Sequence, residues 1–99
     1  MLIISGEVQV KPEARDRAIE VALKMAKASE TEEGCISYRF YASLEDPNTF
    51  RIFEVWETEE ALNSHFETPH MQEFRHHLPD IVAGPLDIKR YDVSKVSSA

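Results

Sequence analysis

The residues with the most evident capacity for chemistry follow one another in a single stretch of the chain. Glu54 and Trp56 stand two residues apart on an alternating segment, and two histidines, His65 and His70, come shortly after them. Histidine changes its charge near neutral pH, so it can accept or donate a proton there, and a carboxylate can orient a histidine or carry a proton itself. We therefore take His65, His70 and Glu54 as candidate catalytic residues.

Each of these residues also has a structural interpretation. Trp56 can serve as a core residue, and Glu54 lies on an otherwise apolar face, where a carboxylate must find a hydrogen bond or an ion pair. His65 follows Leu62 by three residues on the apolar side of a helix, as a hydrogen-bonded core histidine would. The sequence leaves both interpretations open.

The spacing of the histidines does not predict a metal site. His76 and His77 are adjacent, and adjacent helical residues point about 100° apart. His65 and His70 lack the i, i+4 spacing of a helical zinc site. A phosphate-binding loop is not indicated either, since the three glycines are scattered at element ends: Gly6, Gly34 and Gly84. We expect neither a metal nor another bound cofactor.

The N-terminal third of the chain is predicted to form a strand and a helix. Residues 2–10 have the composition of a strand, with Gly6 as a possible bulge. Pro12 then opens a helix over residues 13–30, because its fixed φ suits the first helical position, and Gly34 stops it. One side of this helix gathers mostly small residues: Ala14, Ala18, Val21, Ala22, Met25, Ala26 and Ala28.

A hairpin of two strands should follow. Residues 35–42 alternate in the manner of a strand, and residues 45–48 form a turn that accepts a proline. One face of this second strand is expected to carry Ile36, Tyr38 and Phe40. The third strand is predicted over residues 50–57.

This third strand is largely apolar on both faces. One face carries Phe50, Ile52, Glu54 and Trp56, and the other carries Arg51, Phe53, Val55 and Glu57. A single layer of helices covers only one side of an antiparallel sheet, so the other side needs a second cover. A second copy of the sheet is the economical choice, and we expect a homodimer.

The remaining elements complete a recognisable order. Thr58 is the expected N-cap of a short helix that carries Leu62, His65 and Phe66. Thr68 begins a second helix, which presents Met71, Phe74 and Leu78 and is expected to end at Pro79. Residues 85–93 supply a last strand. The order βαββαβ predicts an α+β, ferredoxin-like fold, with an antiparallel sheet and helices on one of its faces.

Composition narrows the classes of function. Eleven basic residues against eighteen acidic ones give a net charge of −7, which disfavours nucleic-acid binding. No apolar run is long enough to cross a membrane, and the single cysteine, Cys35, suits a reducing compartment, so we expect a cytoplasmic protein. The folded domain should span residues 1–93, and residues 94–99 form a polar tail.

One combination of residues resembles a known family. Phe53-Glu-Val-Trp56 is followed by Leu62, His65, Thr68, His70 and Phe74 on a broken helix. This arrangement resembles the antibiotic biosynthesis monooxygenase family of small dimeric α+β barrel proteins. Residues 33–38 are similar to the family's entry to its second strand, and residues 46–50 to its hairpin. The resemblance covers about residues 1–92.

The resemblance implies oxidation of a quinol-like or polyphenolic aromatic by O₂ without metal, flavin or haem. Such a substrate reduces oxygen itself once it is deprotonated. An enzyme of this kind would need an aromatic-binding pocket, which we expect to be lined by Trp56, Phe50, Leu62 and Phe74. His65 or His70 would assist proton transfer, and Glu54 would orient a histidine or carry a proton.

The same scaffold serves other functions, so three alternatives stay open. The first is a haem-degrading enzyme, although the first strand here lacks the asparagine that those enzymes use. The second is an isomerase of a small oxidised metabolite, with the same histidine and glutamate as acid and base. The third is a non-catalytic, stress-associated small-molecule binder.

Overall fold

The computed structural model describes residues 1–99 and contains the predicted order of elements. The strands are β1 (Leu2–Gln9), β2 (Cys35–Ala42), β3 (Thr49–Trp56) and β4 (Asp87–Asp92). The helices are α1 (Arg15–Ser29), α2 (Glu59–Phe66) and α3 (Pro69–Ile81), and a 3₁₀ turn at Pro12–Ala14 precedes α1.

The four strands form one antiparallel sheet in the order β2-β3-β1-β4. Helix α1 packs against β2 and α3, and α2 packs against β3 and α3. This arrangement confirms the predicted α+β, ferredoxin-like fold. None of the helices is both long enough and apolar enough to span a bilayer.

The sheet has its bulge in β2. The prediction of a possible bulge at Gly6 was wrong. Gly6 pairs regularly with Ile52 on β3 and with Ile88 on β4. A Cβ atom at Gly6 would lie 2.8 Å from Cγ1 of Ile88, so glycine is needed there for close packing rather than for a bulge.

The register of β2 shifts between Cys35 and Ser37, where two residues oppose one on β3. Cys35 pairs with Trp56 and Tyr38 pairs with Glu54, so Cys35 shares the helix-covered face with Tyr38. Ile36 is 50% exposed. The predicted grouping of Ile36 with Tyr38 was therefore wrong, because the bulge interrupts the alternation.

The helix boundaries differ from prediction at two prolines. Pro12 opens the 3₁₀ turn, and α1 itself begins at Arg15. Pro79 does not end α3, which continues to Ile81. A proline this close to the C-terminus removes little of the helix's hydrogen bonding, and buried Ile81 anchors the last turn in the core.

The core lies between the sheet and the helices in two clusters. The larger contains Leu2, Ile4, Met25, Tyr38, Ile52, Trp56 and Leu62. The smaller contains Val10, Ala18, Phe50 and Ile81. Because Trp56 is fully buried in the larger cluster, the end of β3 is held rigidly under α2.

The opposite face of the sheet carries no helix. Cross-strand pairing places Ile3 beside both Val55 and Tyr91, and Ser5 beside Phe53. Val55 and Phe53 are half-buried in the single protomer, and Tyr91 is 50% exposed. An apolar strip thus runs across the middle of this open face.

Candidate active site

Glu54 and Trp56 lie side by side on the helix-covered face of β3. The two-residue period of the strand points both side chains into the core, where Glu54 is 7% exposed and Trp56 is completely covered. The indole Nε1–H of Trp56 donates a hydrogen bond of 2.9 Å to Oε1 of Glu54. The carboxyl is therefore fixed in position by a rigid neighbour.

The surroundings of Glu54 favour its protonated form. Burial raises the pKa of Glu54 to about 7, hydrogen bonds from Trp56 and Tyr38 oppose this rise, and the negative charge of Glu32 adds to it. Burial also raises the pKa of Tyr38 far above its usual range, so this phenol keeps its proton. Glu54 is thus poised to exchange a proton near neutral pH.

A cavity of about 280 Å³ lies between the sheet and α3. Its wall is mainly apolar and includes Phe40, Ile52, Met71, Phe74, Leu78 and Ile88. Tyr38 contributes from the edge strand β2, Glu54 contributes from the neighbouring strand β3, and Arg75 contributes from α3. Of the charged lining residues, only Glu54 is buried, so the cavity combines an apolar surface with one enclosed proton-exchanging group.

A second cluster joins the two candidate histidines through a carboxylate that we did not predict. Oε2 of Glu32 lies 2.7 Å from Nδ1 of His65 and 2.7 Å from Nε2 of His70. Glu32 stands in the loop between α1 and β2, far from both histidines in sequence. No periodic pattern marks a loop residue of this kind, so only the tertiary structure brings the three together.

His65 is held tightly between this carboxylate and the core. Its ring centroid lies 4.8 Å from that of Trp56 and 5.3 Å from that of Tyr38. Burial lowers the pKa of His65, and the hydrogen bond and charge of Glu32 offset only part of this effect. The imidazole is neutral at pH 7 and donates its Nδ1–H to Glu32.

The structure separates the predicted site residues into groups. Of the four predicted substrate-binding residues, Phe74 lines the cavity, whereas Trp56 and Leu62 are core residues and Phe50 belongs to the smaller core cluster. His65 and His70 are not among the lining residues. Trp56 connects the cavity to the histidine cluster, because it donates a hydrogen bond to Glu54 and its ring contacts His65. Lining residues absent from the prediction include Tyr38, Phe40, Met71 and Arg75.

The family of the chain follows from comparison with known proteins. The family model for antibiotic biosynthesis monooxygenase matches residues 1–77, and the chain belongs to this family. The relative "Putative monooxygenase YcnE" from Bacillus subtilis is 32% identical over 95 residues, which cover 96% of this chain and 100% of that protein. Family membership and this relative together favour a monooxygenase-like function.

A second relative and two solved structures agree on the scaffold. The Synechocystis sp. uncharacterized protein sll1783 is 36% identical over 97 residues, and the match covers 98% of this chain but only 66% of that protein. A crystal structure from Deinococcus radiodurans superposes with a TM-score of 0.92 at 23% identity, covering 100% of this chain and 98% of that one. The crystal structure of a conserved protein from Methanosarcina mazei superposes with a TM-score of 0.86 at 28% identity. The superposition covers 91% of this chain and 89% of that one.

Proposed function

We propose that this protein oxidises a quinol-like or polyphenolic aromatic with O₂ and uses no bound cofactor to do so. The observation that carries the proposal is Glu54, a buried carboxyl with a pKa of about 7 in the wall of an apolar cavity. The rings of such a substrate would contact the apolar wall while a hydroxyl meets the carboxyl.

The cavity has the right size for this class of substrate. A cavity of roughly 150 Å³ accepts benzene, so about 280 Å³ holds a substituted ring or a compact pair of fused rings. Three aromatic side chains, Tyr38, Phe40 and Phe74, border this space and can pack against a flat ligand.

Glu54 acts in this proposal as the proton acceptor. It removes the phenolic proton, and the resulting phenolate is electron-rich enough to reduce O₂. One oxygen atom forms a new carbon–oxygen bond at a free ring carbon, and the other leaves as water. The aromatic supplies all of the electrons and becomes a quinone. Arg75 stabilises the negative charge that develops on the phenolate or on the reduced oxygen.

The histidines support the site in this proposal from behind Trp56. His65 packs against the indole, and the indole holds Glu54 through its N–H. His70 reaches the same cluster through Glu32. Since neither histidine is among the lining residues, we assign proton transfer to Glu54 and positioning to His65.

We also propose that two copies associate through their open sheet faces. The apolar strip formed by Ile3, Phe53, Val55 and Tyr91 supports this assembly. Covering it would remove apolar surface from water without disturbing the helices, and a stable interface of this kind buries more than about 1,000 Å².

The proposed oxidation can be tested with oxygen uptake on a panel of quinols and polyphenols. Glu54→Gln keeps the shape of the side chain and a carbonyl oxygen for Trp56, but it cannot accept the proton. The variant should lose about 10²–10⁴-fold in kcat/KM at an unchanged fold. Glu57→Gln, at an exposed position just beyond β3, is the matched control and should behave as wild type.

Two results would overturn the assignment. Wild-type rates in Glu54→Gln would show that the carboxyl is not the base. Absence of oxygen uptake with every member of the panel would argue against the substrate class. Parallel measurements on His65→Ala and His70→Ala, with rate and melting temperature together, show whether either histidine transfers the proton or only holds the site.

A further inference from the structure

The cluster of Glu32, His65 and His70 has the composition of a metal centre. Its three ligand atoms, one from each side chain, all lie within 4.8 Å of one another. We propose that these residues bind one divalent transition-metal ion, with Zn²⁺ as the best-matched ion, beside the cavity and not within it. Two imidazoles and one carboxylate are a donor set that Zn²⁺ takes in proteins, with a fourth position left for water.

The geometry is close to what such an ion requires. Ligand atoms around tetrahedral zinc are separated by about 3.3 Å, since each bond is about 2.0–2.1 Å long. Here both histidine nitrogens lie 2.7 Å from Oε2 of Glu32. Small rotations of Glu32 and His70 would open these distances and admit an ion, and His65 would need to move little.

Histidine spacing within one helix does not describe this cluster. His65 lies on α2 and His70 lies in the first turn of α3, and the two helices meet at Thr68. The Thr68 side chain caps α3 and donates a hydrogen bond to the carbonyl oxygen of His65. The helix junction therefore aims two imidazoles at one carboxylate, an arrangement that histidine spacing within a single helix does not predict.

The surroundings provide both rigidity and access. His65 has a side chain that is only 1% exposed, and contact with Trp56 fixes its ring. The side chains of His70 and Glu32 are 23% and 13% exposed, so an ion can enter from that side. A rigid ligand next to two accessible ones favours binding without refolding.

The role that follows for the ion is structural. It would join the loop before β2 to both helices and so hold the wall of the cavity that α3 provides. The ion would take no direct part in the proposed oxidation, because the proton acceptor Glu54 lies on β3 and Trp56 stands between it and the cluster.

The experiment uses the full chain after removal of metal with a chelator. Zn²⁺ alone is titrated by isothermal calorimetry, and the melting temperature is measured with and without the ion. We expect one equivalent to bind and the melting temperature to rise. His70→Ala and Glu32→Gln should each bind roughly 100-fold more weakly or worse and lose the rise.

His76→Ala is the matched control, because His76 is an exposed histidine on the same helix and lies outside the cluster. This variant should bind Zn²⁺ as wild type does. The proposal is refuted if His70→Ala and Glu32→Gln keep wild-type affinity, if His76→Ala is weakened as much as they are, or if the wild-type protein takes up less than one equivalent. Oxygen uptake by the metal-free protein tests the oxidation separately.

Discussion

Replacing Glu54 by glutamine should remove a pH dependence of stability that the buried carboxyl imposes on the folded protein. The folded-state pKa of Glu54 is raised from its ordinary value of 4.5 to about 7. Between these two values the folded protein keeps a proton that the unfolded chain has released. The folded state then binds more protons, so the free energy of unfolding falls as the pH rises through this window.

The size of the effect follows from the two pKa values. One pKa unit corresponds to about 1.4 kcal/mol, so the difference between 4.5 and about 7 corresponds to on the order of 3 kcal/mol. Glutamine cannot ionise and can still accept the hydrogen bond from Trp56. The free energy of unfolding of Glu54→Gln therefore lacks this pH-dependent contribution of the carboxyl at every pH.

The assay is urea unfolding of both proteins at equal concentration, from about pH 4 to pH 8. Other groups, including His65, titrate in the same range, so the informative quantity is the difference between wild type and Glu54→Gln at each pH. This difference should change by about 3 kcal/mol in favour of the variant as the pH rises. A difference that stays constant would show that Glu54 ionises at its ordinary pKa, and the carboxyl would then not be poised as a base.

Three other outcomes are expected. If Glu54 is the base, kcat/KM for quinol oxidation should rise with pH through about 7 and then level off; a flat profile contradicts this. Val55→Asp should convert a dimer into an 11.4 kDa monomer in sedimentation, because it places a carboxylate in an apolar contact; a persistent dimer refutes that interface. Gly34→Ala should lower the free energy of unfolding by at least about 1–2 kcal/mol in urea, because Gly34 has a φ of 84° and an added Cβ would meet Ala61. Gly84→Ala is the control, since an added Cβ there would lie in open space.

Much of the fold was predictable because it depends on local patterns. The alternation of β3 identified its buried face, and the caps Thr58 and Thr68 marked the starts of α2 and α3. The bulge at Ile36 was not predictable, because it depends on how β2 pairs with β3. The continuation of α3 past Pro79 depends on packing in the core rather than on the helix itself.

The site was predictable only in part, for a related reason. Periodicity assigns residues to a face but does not tell which of them fill space and which border a gap. Trp56 and Leu62 fill the core, whereas Phe74 and Phe40 border the cavity. Glu32 carries no local signal, since its partners lie on two helices that are distant in sequence.

The contact between Trp56 and Glu54 also gives the protein a built-in optical probe. Trp56 is the only tryptophan in the chain, so all indole fluorescence comes from one fully buried ring. The indole N–H of that ring donates a hydrogen bond to the carboxyl of Glu54, whose charge changes near neutral pH. Emission colour and intensity should therefore follow the protonation of Glu54, and the arrival of a ligand against that carboxyl, without any attached label.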